Sequence, residues 1–256
     1  MTSRLAVVGL GPGAVEWRTP EATARLAAAT DLVGYGPYLR MVGPLDPPPV
    51  QHEFDNREEA ERARFALDLA AGGRDVVVVS SGDPGVFAMA TAVVEELHRQ
   101  EPARYAAVEL TIVPGITAAA AAAARVGAPL GHDFCCLSLS DVLKPWPVVE
   151  RRLGAVGAAD LVVALYNPIS RHRPWQLARA IEILRTYRPA GTPVVVARDV
   201  GRPDEEVRTT TLGAFTDADA DIRTVVIVGS TTTREFTDAH GRAWVYTPRT
   251  YPDAPA

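Results

Sequence analysis

Val76-Val77-Val78-Val79 runs directly into Ser80-Ser81-Gly82-Asp83-Pro84-Gly85. An unbroken run of β-branched residues predicts a strand that is buried on both faces of a sheet. Glycine and proline around an aspartate predict a tight turn at the carboxyl end of that strand, the end at which open α/β sheets bind ligands. The same residues also fit an ordinary turn in which Asp83 caps a helix that starts with Val86-Phe87-Ala88-Met89. The neighbouring segments have to decide between these two interpretations.

Strands and helices alternate along most of the chain, which predicts the α/β class. The predicted strands are 4–10, 31–35, 76–79, 109–113, 134–139, 161–166, 193–198, 207–212 and 224–228. Two predicted helices have a start signal only, at Thr19-Pro20 and after residue 117. The other four predicted helices span about 56–71, 86–99, 147–153 and 174–187. A break near residues 114–132 predicts two α/β lobes, 1–116 and 117–251, followed by a frayed tail at 252–256.

Composition and charge narrow the classes of function. The chain has 256 residues, 47% of them hydrophobic, and a formal net charge of −5. A negative net charge gives no general electrostatic attraction to nucleic acid, and no apolar run is long enough to span a bilayer. The two cysteines are adjacent, which indicates no disulfide framework and no structural zinc site. We therefore expect a cytoplasmic protein with no nucleic-acid partner, no membrane partner and no bound metal.

The glycine-rich segment Val8-Gly9-Leu10-Gly11-Pro12-Gly13 raises the possibility of a dinucleotide site. That motif needs a helix that opens directly after the glycines, so that the helix amino terminus faces the pyrophosphate. Here the next helix start is displaced to Thr19-Pro20, and Pro12 interrupts the glycines. A nicotinamide or flavin enzyme stays an alternative that the sequence disfavours.

Three further loops follow predicted strands. Pro114-Gly115-Ile116-Thr117 precedes a run of seven alanines, Tyr166-Asn167-Pro168 precedes the basic cluster Arg171-His172-Arg173, and Arg198-Asp199-Val200-Gly201-Arg202 places arginines around another aspartate. A basic cluster is usually a solvated surface, but arginines beside a ligand site can bind carboxylates through paired hydrogen bonds.

Taken in order, these loops resemble the tetrapyrrole (corrin/porphyrin) methylase family. The matching segments are Val-Gly-Leu-Gly-Pro-Gly near the amino terminus, Ser81-Gly82-Asp83-Pro84, Pro114-Gly115-Ile116-Thr117-Ala118 and Leu165-Tyr166-Asn167-Pro168. Other segments are similar to the branch that methylates C-17 of precorrin-3B and contracts its ring in cobalamin biosynthesis, or acts on the cobalt-containing counterpart. These are Gly34-Tyr35-Gly36-Pro37-Tyr38-Leu39, Gly131-His132-Asp133-Phe134, Ser138-Leu139-Ser140-Asp141 and Leu143-Lys144-Pro145-Trp146, which contains the chain's single lysine.

The resemblance implies S-adenosyl-L-methionine bound in a cleft between two α/β lobes, a tetrapyrrole substrate in an adjoining trough formed by the first lobe, and a homodimer. The residues implied for the methyl donor are Pro12, Ser81, Gly82, Asp83, Val86, Thr117, Ala118, Tyr166, Asn167 and Ala197. Those implied for the substrate are Gly11, Gly13, Tyr38, Arg40, Arg171, His172 and Arg173. Ring contraction requires proton transfer, for which His132, Asp141 and Lys144 are the candidates.

One position departs from the family pattern, and three alternatives stay open. Many relatives carry an acidic residue directly after Gly-Pro-Gly, where this chain has Ala14 and then Glu16 two residues later. The alternatives are another branch of the same family acting on a different ring carbon or on uroporphyrinogen III, a nucleotide-dependent oxidoreductase, and a tetrapyrrole carrier without catalytic activity.

Overall fold

The computed structural model describes residues 3–55, 58–100 and 103–251. The chain divides into two compact units, Met1–Thr117 and Ala118–Ala256. The predicted cap at Asn56 and the predicted tail at 252–256 lie outside the described residues. Within the described part of the chain, no helix is both long and apolar enough to cross a membrane.

The first unit is a parallel sheet with helices on both faces. In chain order its elements are β1 (Ser3–Gly9), α1 (Pro20–Ala28), β2 (Asp31–Tyr35), α2 (Gly36–Val42), β3 (Val50–Phe54), α3 (Glu59–Ala71), β4 (Asp75–Ser80), α4 (Met89–Arg99) and β5 (Val108–Val113). The strand order is β3-β2-β4-β1-β5, and every pairing in it is parallel. The carboxyl ends of these strands therefore lie along one edge of the sheet.

The four valines of β4 form the centre of this unit. Val76 and Val78 pack in the apolar cluster that includes α3 and α4, whereas Val77 and Val79 pack with residues of α1 and α2. All four side chains are at most 3% exposed. The predicted strand with two buried faces is confirmed, and burial of each valine contributes about 1.5–3 kcal/mol.

Local sequence signals predicted some element boundaries of the first unit correctly and others wrongly. Thr19 caps α1 as predicted, because its Oγ1 accepts a hydrogen bond from the Ala22 amide at 3.1 Å. The predicted helix start at Val86 was wrong: α4 begins at Met89, after Phe87 takes a left-handed backbone conformation with φ of 55°. Helix α2 and strand β3 were not predicted, because α2 starts with Gly36-Pro37 and β3 is a mostly polar edge strand.

The second unit is built around a mixed five-stranded sheet and a small third sheet. Its elements are α5 (Ala118–Val126), β6 (Gly127–Ala128), β7 (Phe134–Ser138), α6 (Trp146–Ala158), β8 (Val162–Tyr166), α7 (Gln176–Arg185), β9 (Pro193–Arg198), β10 (Glu206–Thr211), β11 (Thr224–Val228), β12 (Arg234–Thr237) and β13 (Ala243–Tyr246). The large sheet has the order β10-β9-β11-β8-β7 and the small sheet the order β12-β13-β6. Because β7 runs parallel to β8 while β8 and β9 both run antiparallel to β11, the strands β7, β8 and β9 end at the same edge.

The second unit departs from the predicted elements mainly in its short strands and in the length of α6. The strands β6, β12 and β13 were not predicted, since β6 has two residues and β12 is fully exposed. Helix α6 continues to Ala158 rather than ending near residue 153. Its Gly157 lies under the ring of Tyr187, where a Cβ atom would come within 2.4 Å of Tyr187 Cδ2, so a glycine that looks like a helix terminator serves close packing.

Candidate functional site

Three backbones meet at the carboxyl edge of the first unit, where β1, β4 and β5 end. A Cβ atom on Gly9 would lie 2.7 Å from the Gly82 carbonyl oxygen, and one on Gly115 would lie 2.2 Å from the same oxygen. Distances below 3.0 Å are essentially never seen for real Cβ atoms. Glycine is therefore required at Gly9 and Gly115 because the three loops are in backbone contact.

Hydrogen bonds hold the first two of these loops together. The Gly11 amide donates to the Gly82 carbonyl at 3.1 Å, and the Gly82 amide donates to the Gly11 carbonyl at 2.8 Å. Both glycines have left-handed backbone conformations, with φ of 71° and 67°. The structure thus brings together Gly11, expected for the substrate, and Gly82, expected for the donor.

Asp83 connects the second loop to the third. Its Oδ1 accepts a hydrogen bond from the Gly85 amide at 2.8 Å, and its Oδ2 accepts one from the Gly115 amide at 3.0 Å. Helix α4 begins six residues later at Met89, so capping α4 is not the role of Asp83. The carboxylate fixes the position of the Pro114-Gly115 turn relative to the Ser81–Gly85 turn.

The context of the first glycine loop does not match a dinucleotide fold. After Gly13 the chain forms a short 3-10 turn at Val15–Trp17, and α1 begins only at Pro20. No helix amino terminus therefore follows the glycines, as the spacing in the sequence predicted. Ala14, where the family resemblance led us to expect an acidic residue, is in extended conformation just before that turn.

The next strand end carries Tyr38 and Arg40. Both lie on α2, which follows β2, with Tyr38 half-buried and Arg40 exposed. The ring of Tyr38 contacts the ring of Tyr35 edge to face, with centroids 5.4 Å apart. Val86 and Thr117 are half-buried, in the segments that follow β4 and β5.

In the second unit, Asn167 lies at the end of β8 in a left-handed conformation with φ of 51°. Its Nδ2 donates to Ser138 Oγ, at the end of β7, at 3.0 Å. The side chain thereby links two neighbouring strand ends. Ser138 belongs to a segment that matches the family, but its sequence context indicates no role, and only the pairing of β7 with β8 reveals its contact.

Tyr166 precedes Asn167 and faces the start of the alanine helix. Its Oη accepts a hydrogen bond from the Ala119 amide at 2.9 Å. Ala118, the first residue of α5, is half-buried, and the side chain of Ala197, expected for the donor, is 1% exposed within β9.

The basic cluster after β8 separates into two kinds of residue. Arg171 and His172 are exposed, as a ligand contact requires. Arg173 is only 8% exposed, and its Nη1 donates to the Asn167 carbonyl at 2.7 Å. Arg173 therefore holds the backbone of the Asn167 turn, a role that the sequence pattern alone did not indicate.

The three residues expected to assist proton transfer do not lie together. Asp141 and Lys144 follow β7, and Asp141 Oδ2 accepts a hydrogen bond from Gln176 Nε2 at 3.0 Å. His132 precedes β7, at the opposite edge of the sheet, about 17 Å away for a five-residue strand. Its Nδ1 accepts a hydrogen bond from the Asp133 amide at 2.7 Å, and its ring contacts Tyr251. The structure does not bring His132 to Asp141 and Lys144.

Lys144 is half-buried in the loop between β7 and α6. Burial lowers the pKa of its ammonium group from the ordinary value, and the positive charges of Arg152 and Arg173 act in the same direction. Asp141 opposes this shift. The amine therefore loses its proton more readily than an exposed lysine does. Among the described residues, no group of three or more His, Cys, Asp and Glu side chains is arranged to hold a metal ion.

Comparison with protein families identifies one matching model. Residues 4–216 match the model of the tetrapyrrole (corrin/porphyrin) methylases. A precorrin-3B C(17)-methyltransferase from Sinorhizobium sp. is 51% identical over 254 residues, which cover 99% of each chain. A probable cobalt-factor III C(17)-methyltransferase from Salmonella typhimurium is 43% identical and covers 90% of this chain and 93% of that protein. The cobalamin biosynthesis protein CobIJ of Mycobacterium tuberculosis is 50% identical, and this chain spans 49% of its length.

Solved structures agree with this similarity. The methyltransferase CobJ is 49% identical and superposes with a TM-score of 0.89 over 95% of this chain and 99% of that one. A uroporphyrin-III C-methyltransferase from Thermus thermophilus, solved with S-adenyl homocysteine, has a TM-score of 0.67 at 21% identity over 89% of this chain and 98% of that one. At 21% identity, the similarity to the uroporphyrin-III C-methyltransferase shows a shared fold and nothing more.

Proposed function

The chain belongs to the tetrapyrrole (corrin/porphyrin) methylase family, and on this basis we propose that it methylates precorrin-3B, or its cobalt-containing counterpart, at C-17. The methyl donor is S-adenosyl-L-methionine, the ring contracts to give precorrin-4, and the pathway is cobalamin biosynthesis. The observation that carries the proposal is the 51% identity to a precorrin-3B C(17)-methyltransferase over 99% of both chains.

The residues that we propose for the donor lie at strand ends and in the segments that follow them. They are Pro12, Ser81, Gly82, Asp83, Val86, Thr117, Ala118, Tyr166, Asn167 and Ala197. The first-unit residues fit such a ligand, because glycines keep the three loops free of side-chain bulk at their point of contact. When bound, the donor supplies an electrophilic methyl group on a sulfonium.

The protein's main task is to align the two reactants. The S–CH3 bond breaks as the C-17–CH3 bond forms, the sulfur keeps the electron pair, and one proton leaves the macrocycle. Fixed loops accelerate such a transfer by proximity and orientation. Lys144 and Asp141 are our candidates for moving the proton. His132 is less favoured, because it lies at the other edge of its sheet.

The substrate is anionic, since acetate and propionate groups surround its ring. The side chains that we propose for it are Tyr38, Arg40, Arg171 and His172, together with the backbone of Gly11 and Gly13. Arg173 supports this set through its hydrogen bond to the Asn167 carbonyl.

The test is incubation of the protein with labelled S-adenosyl-L-methionine and precorrin-3B, with and without cobalt in the macrocycle. We expect incorporation of one labelled methyl group and a product with the mass of precorrin-4. A methylated product with the label at another carbon would point to a different branch of the family. Tight binding of the macrocycle without consumption of donor would point to a carrier, and reduction of NAD or flavin would point to an oxidoreductase.

We also propose that the protein is a cytoplasmic homodimer whose partner is a small-molecule tetrapyrrole. Support comes from the family resemblance. Light scattering on the purified chain gives its mass in solution, and a mass of one chain at all concentrations would contradict the dimer.

A further inference from the structure

Three apolar side chains are exposed to solvent in the segments that follow β7 and β8. Val142 and Leu143, in the loop between β7 and α6, are 76% and 87% exposed, and Trp175, directly before α7, is 48% exposed. We call these three residues the apolar patch. They lie outside the residues proposed above for the donor and the substrate. Single exposed apolar side chains are common, whereas several together with a polar rim mark a binding surface.

A buried hydrogen bond joins the two segments that carry the apolar patch. Asp141 Oδ2 accepts a hydrogen bond from Gln176 Nε2 at 3.0 Å, and Gln176 is only 2% exposed. Asp141 directly precedes Val142, and Gln176 directly follows Trp175. The backbone at Val142 is therefore close to the backbone at Trp175, although the two residues are distant in sequence.

A second indole supports the ring of Trp175. Trp146, the first residue of α6, is partly buried and packs against the apolar core of the second unit. Its ring contacts that of Trp175 edge to face, with centroids 4.9 Å apart and an angle of 75° between the planes. Aromatic pairs favour this geometry. The exposed part of Trp175 is thus held in position before a ligand binds, which lowers the entropic cost of binding.

A tight turn beside Trp175 presents two basic side chains. The Arg173 amide donates to the Ser170 carbonyl at 2.9 Å, and the Ser170 amide donates to the Arg173 carbonyl at 3.2 Å. Arg171 and His172 form the tip of this turn, and both are exposed. The rim of the apolar patch is therefore basic on the side of the β8 segment.

The charge of the surrounding segments is positive. Residues 139–152 and 167–182 contain six basic and three acidic side chains, in a chain of net charge −5. Two of the three acids, Glu150 and Glu182, already pair with Arg179 at 2.7 and 3.3 Å. The basic residues are Lys144, Arg151, Arg152, Arg171, Arg173 and Arg179, and the third acid is Asp141.

A ligand that fits this surface has an apolar body and anionic groups at its edge. A tetrapyrrole has both, because its ring offers apolar faces and its acetate and propionate groups surround the ring. A second copy of this chain fits less well. A two-fold contact centred here would place two positively charged surfaces against each other, which is unfavourable.

We propose that the apolar patch packs against the ring of the tetrapyrrole substrate and holds it beside Lys144. The proposal rests on the proposed function and adds to it the residues that contact the ring itself, whereas Arg171 and His172 contact carboxylates at the rim. Such packing is the same before and during methyl transfer. Its loss therefore raises KM for the tetrapyrrole and leaves kcat unchanged.

The experiment compares Leu143→Ser and Trp175→Ala with Phe236→Ala. Leu143 has little packing to lose, so its substitution leaves the fold intact. Phe236 is the matched control for Trp175, because it is 50% exposed, lies on β12 of the small sheet and makes an edge-to-face contact with Tyr246 at 5.9 Å between centroids. Trp175→Phe keeps an aromatic ring at the site.

Four measurements are made on each protein. Absorbance titration gives the affinity for uroporphyrin III, and steady-state kinetics give kcat and KM for precorrin-3B. Calorimetry gives the affinity for S-adenosylhomocysteine. Thermal denaturation and light scattering show that each variant is folded and has the mass of the wild type in solution.

Leu143→Ser and Trp175→Ala should each weaken uroporphyrin III about tenfold and raise KM for precorrin-3B by a similar factor, because apolar surface of the ring stays in water. The loss in Leu143→Ser should persist at high salt, since salt screens charge pairs and not apolar contacts. The values of kcat and the affinity for S-adenosylhomocysteine should not change. Trp175→Phe should lose less than Trp175→Ala, and Phe236→Ala should behave like the wild type.

Other results overturn the proposal. Unchanged KM and uroporphyrin III affinity in both patch variants, with turnover by the wild type, would exclude a ring contact while the proposed function stands. Normal binding by Leu143→Ser together with a changed mass in solution would assign the apolar patch to a second copy of the chain. A wild type that neither binds uroporphyrin III nor methylates precorrin-3B would remove the proposed function and this inference together.

Discussion

Asp83 acts on two loops at once, because each of its carboxylate oxygens accepts a backbone hydrogen bond from a different turn. Gly115, one of the two donors, is pressed against the Gly82 carbonyl and leaves no room for a side chain. Asp83, Gly82 and Gly115 together fix how the two turns contact each other. Removal of the carboxylate should therefore disturb the backbone surface to which we assign the donor.

Asp83→Ala should lower the free energy of unfolding by about 1–3 kcal/mol, since two hydrogen bonds to a charged group are lost. It should also weaken S-adenosylhomocysteine binding, measured by calorimetry. Asp133→Ala is the control, because Asp133 is 84% exposed and lies at the other edge of its sheet. Unchanged donor affinity in a destabilised Asp83→Ala protein would exclude Asp83 from the donor site.

Lys144→Arg should reduce turnover about a hundredfold, the usual size of a general acid–base contribution. Burial lowers the pKa of Lys144, so the amine exchanges a proton more readily than an exposed lysine, whereas an arginine stays protonated. The measurement is kcat as a function of pH. The wild type should gain activity as the pH rises through the lowered pKa, if Lys144 acts as a base, and the variant should lack that limb. Full activity of Lys144→Arg would mean that the position needs only positive charge.

At the scale of elements, the alanine helix α5 has one buried face and one exposed face. Ala119, Ala121 and Ala122 are at most 2% exposed, whereas Ala120 and Ala124 are exposed. The helix packs against β9, β10 and β11 of its own unit. Small side chains allow this close approach.

Ala122→Leu should destabilise the protein by about 1–3 kcal/mol, because extra methylene groups do not fit a close-packed interface. The same substitution at Ala120 should change stability by less than about 0.5 kcal/mol. Urea denaturation of the two variants measures the difference. Equal stabilities would show that α5 is not closely packed along its buried face.

Helices α3 and α4 are joined by a buried carboxylate. Glu96 of α4 has a fully buried side chain and accepts hydrogen bonds from Arg64 of α3 at 2.9 Å and from Arg99 at 2.9 Å. The hydrogen bond from Arg64 is the largest cause that lowers the pKa of Glu96 below its ordinary value of 4.5. The charged form is therefore favoured in the folded protein.

Glu96→Gln should destabilise the protein at neutral pH. It should also make the free energy of unfolding vary less as the pH is lowered. A carboxyl group with a lowered pKa in the folded state adds stability above pH 4.5, and this stability is lost as the pH falls through the folded-state pKa. Denaturation midpoints between pH 7 and pH 3 test this. Parallel pH profiles for the wild type and the variant would contradict it.

At the scale of the whole molecule, chelation should leave the protein intact. Within the described residues no three metal-ligating side chains form a cluster, and the proposed transfer needs no metal held by the protein. We expect EDTA to change neither the denaturation midpoint nor the affinity for S-adenosylhomocysteine. A loss of either that added metal restores would reveal a metal site.

Regular elements with strong local signals were predictable from the sequence. The strands Asp31–Tyr35, Pro193–Arg198 and Thr224–Val228 have the predicted bounds. In the last two, continuous β-branched runs favour a buried strand whatever its partners. Strands that form only through pairing with a neighbouring strand were not predicted. The edge strand β3 has only intermittent burial, and the two residues of β6 are a strand only because they pair with β13.

The sequence by itself determined the α/β class, the loops at the strand ends and the resemblance to a methylase family. Each of these depends only on local composition and on the order of short motifs. Only the tertiary structure decided which residues share an edge of a sheet. Pairing of β7 with β8 brings Asn167 to Ser138, whereas the length of β7 separates His132 from Lys144. Burial likewise distinguishes Arg173, which holds a backbone carbonyl, from exposed Arg171. Such neighbours are far apart in the chain, and no local pattern encodes their distance.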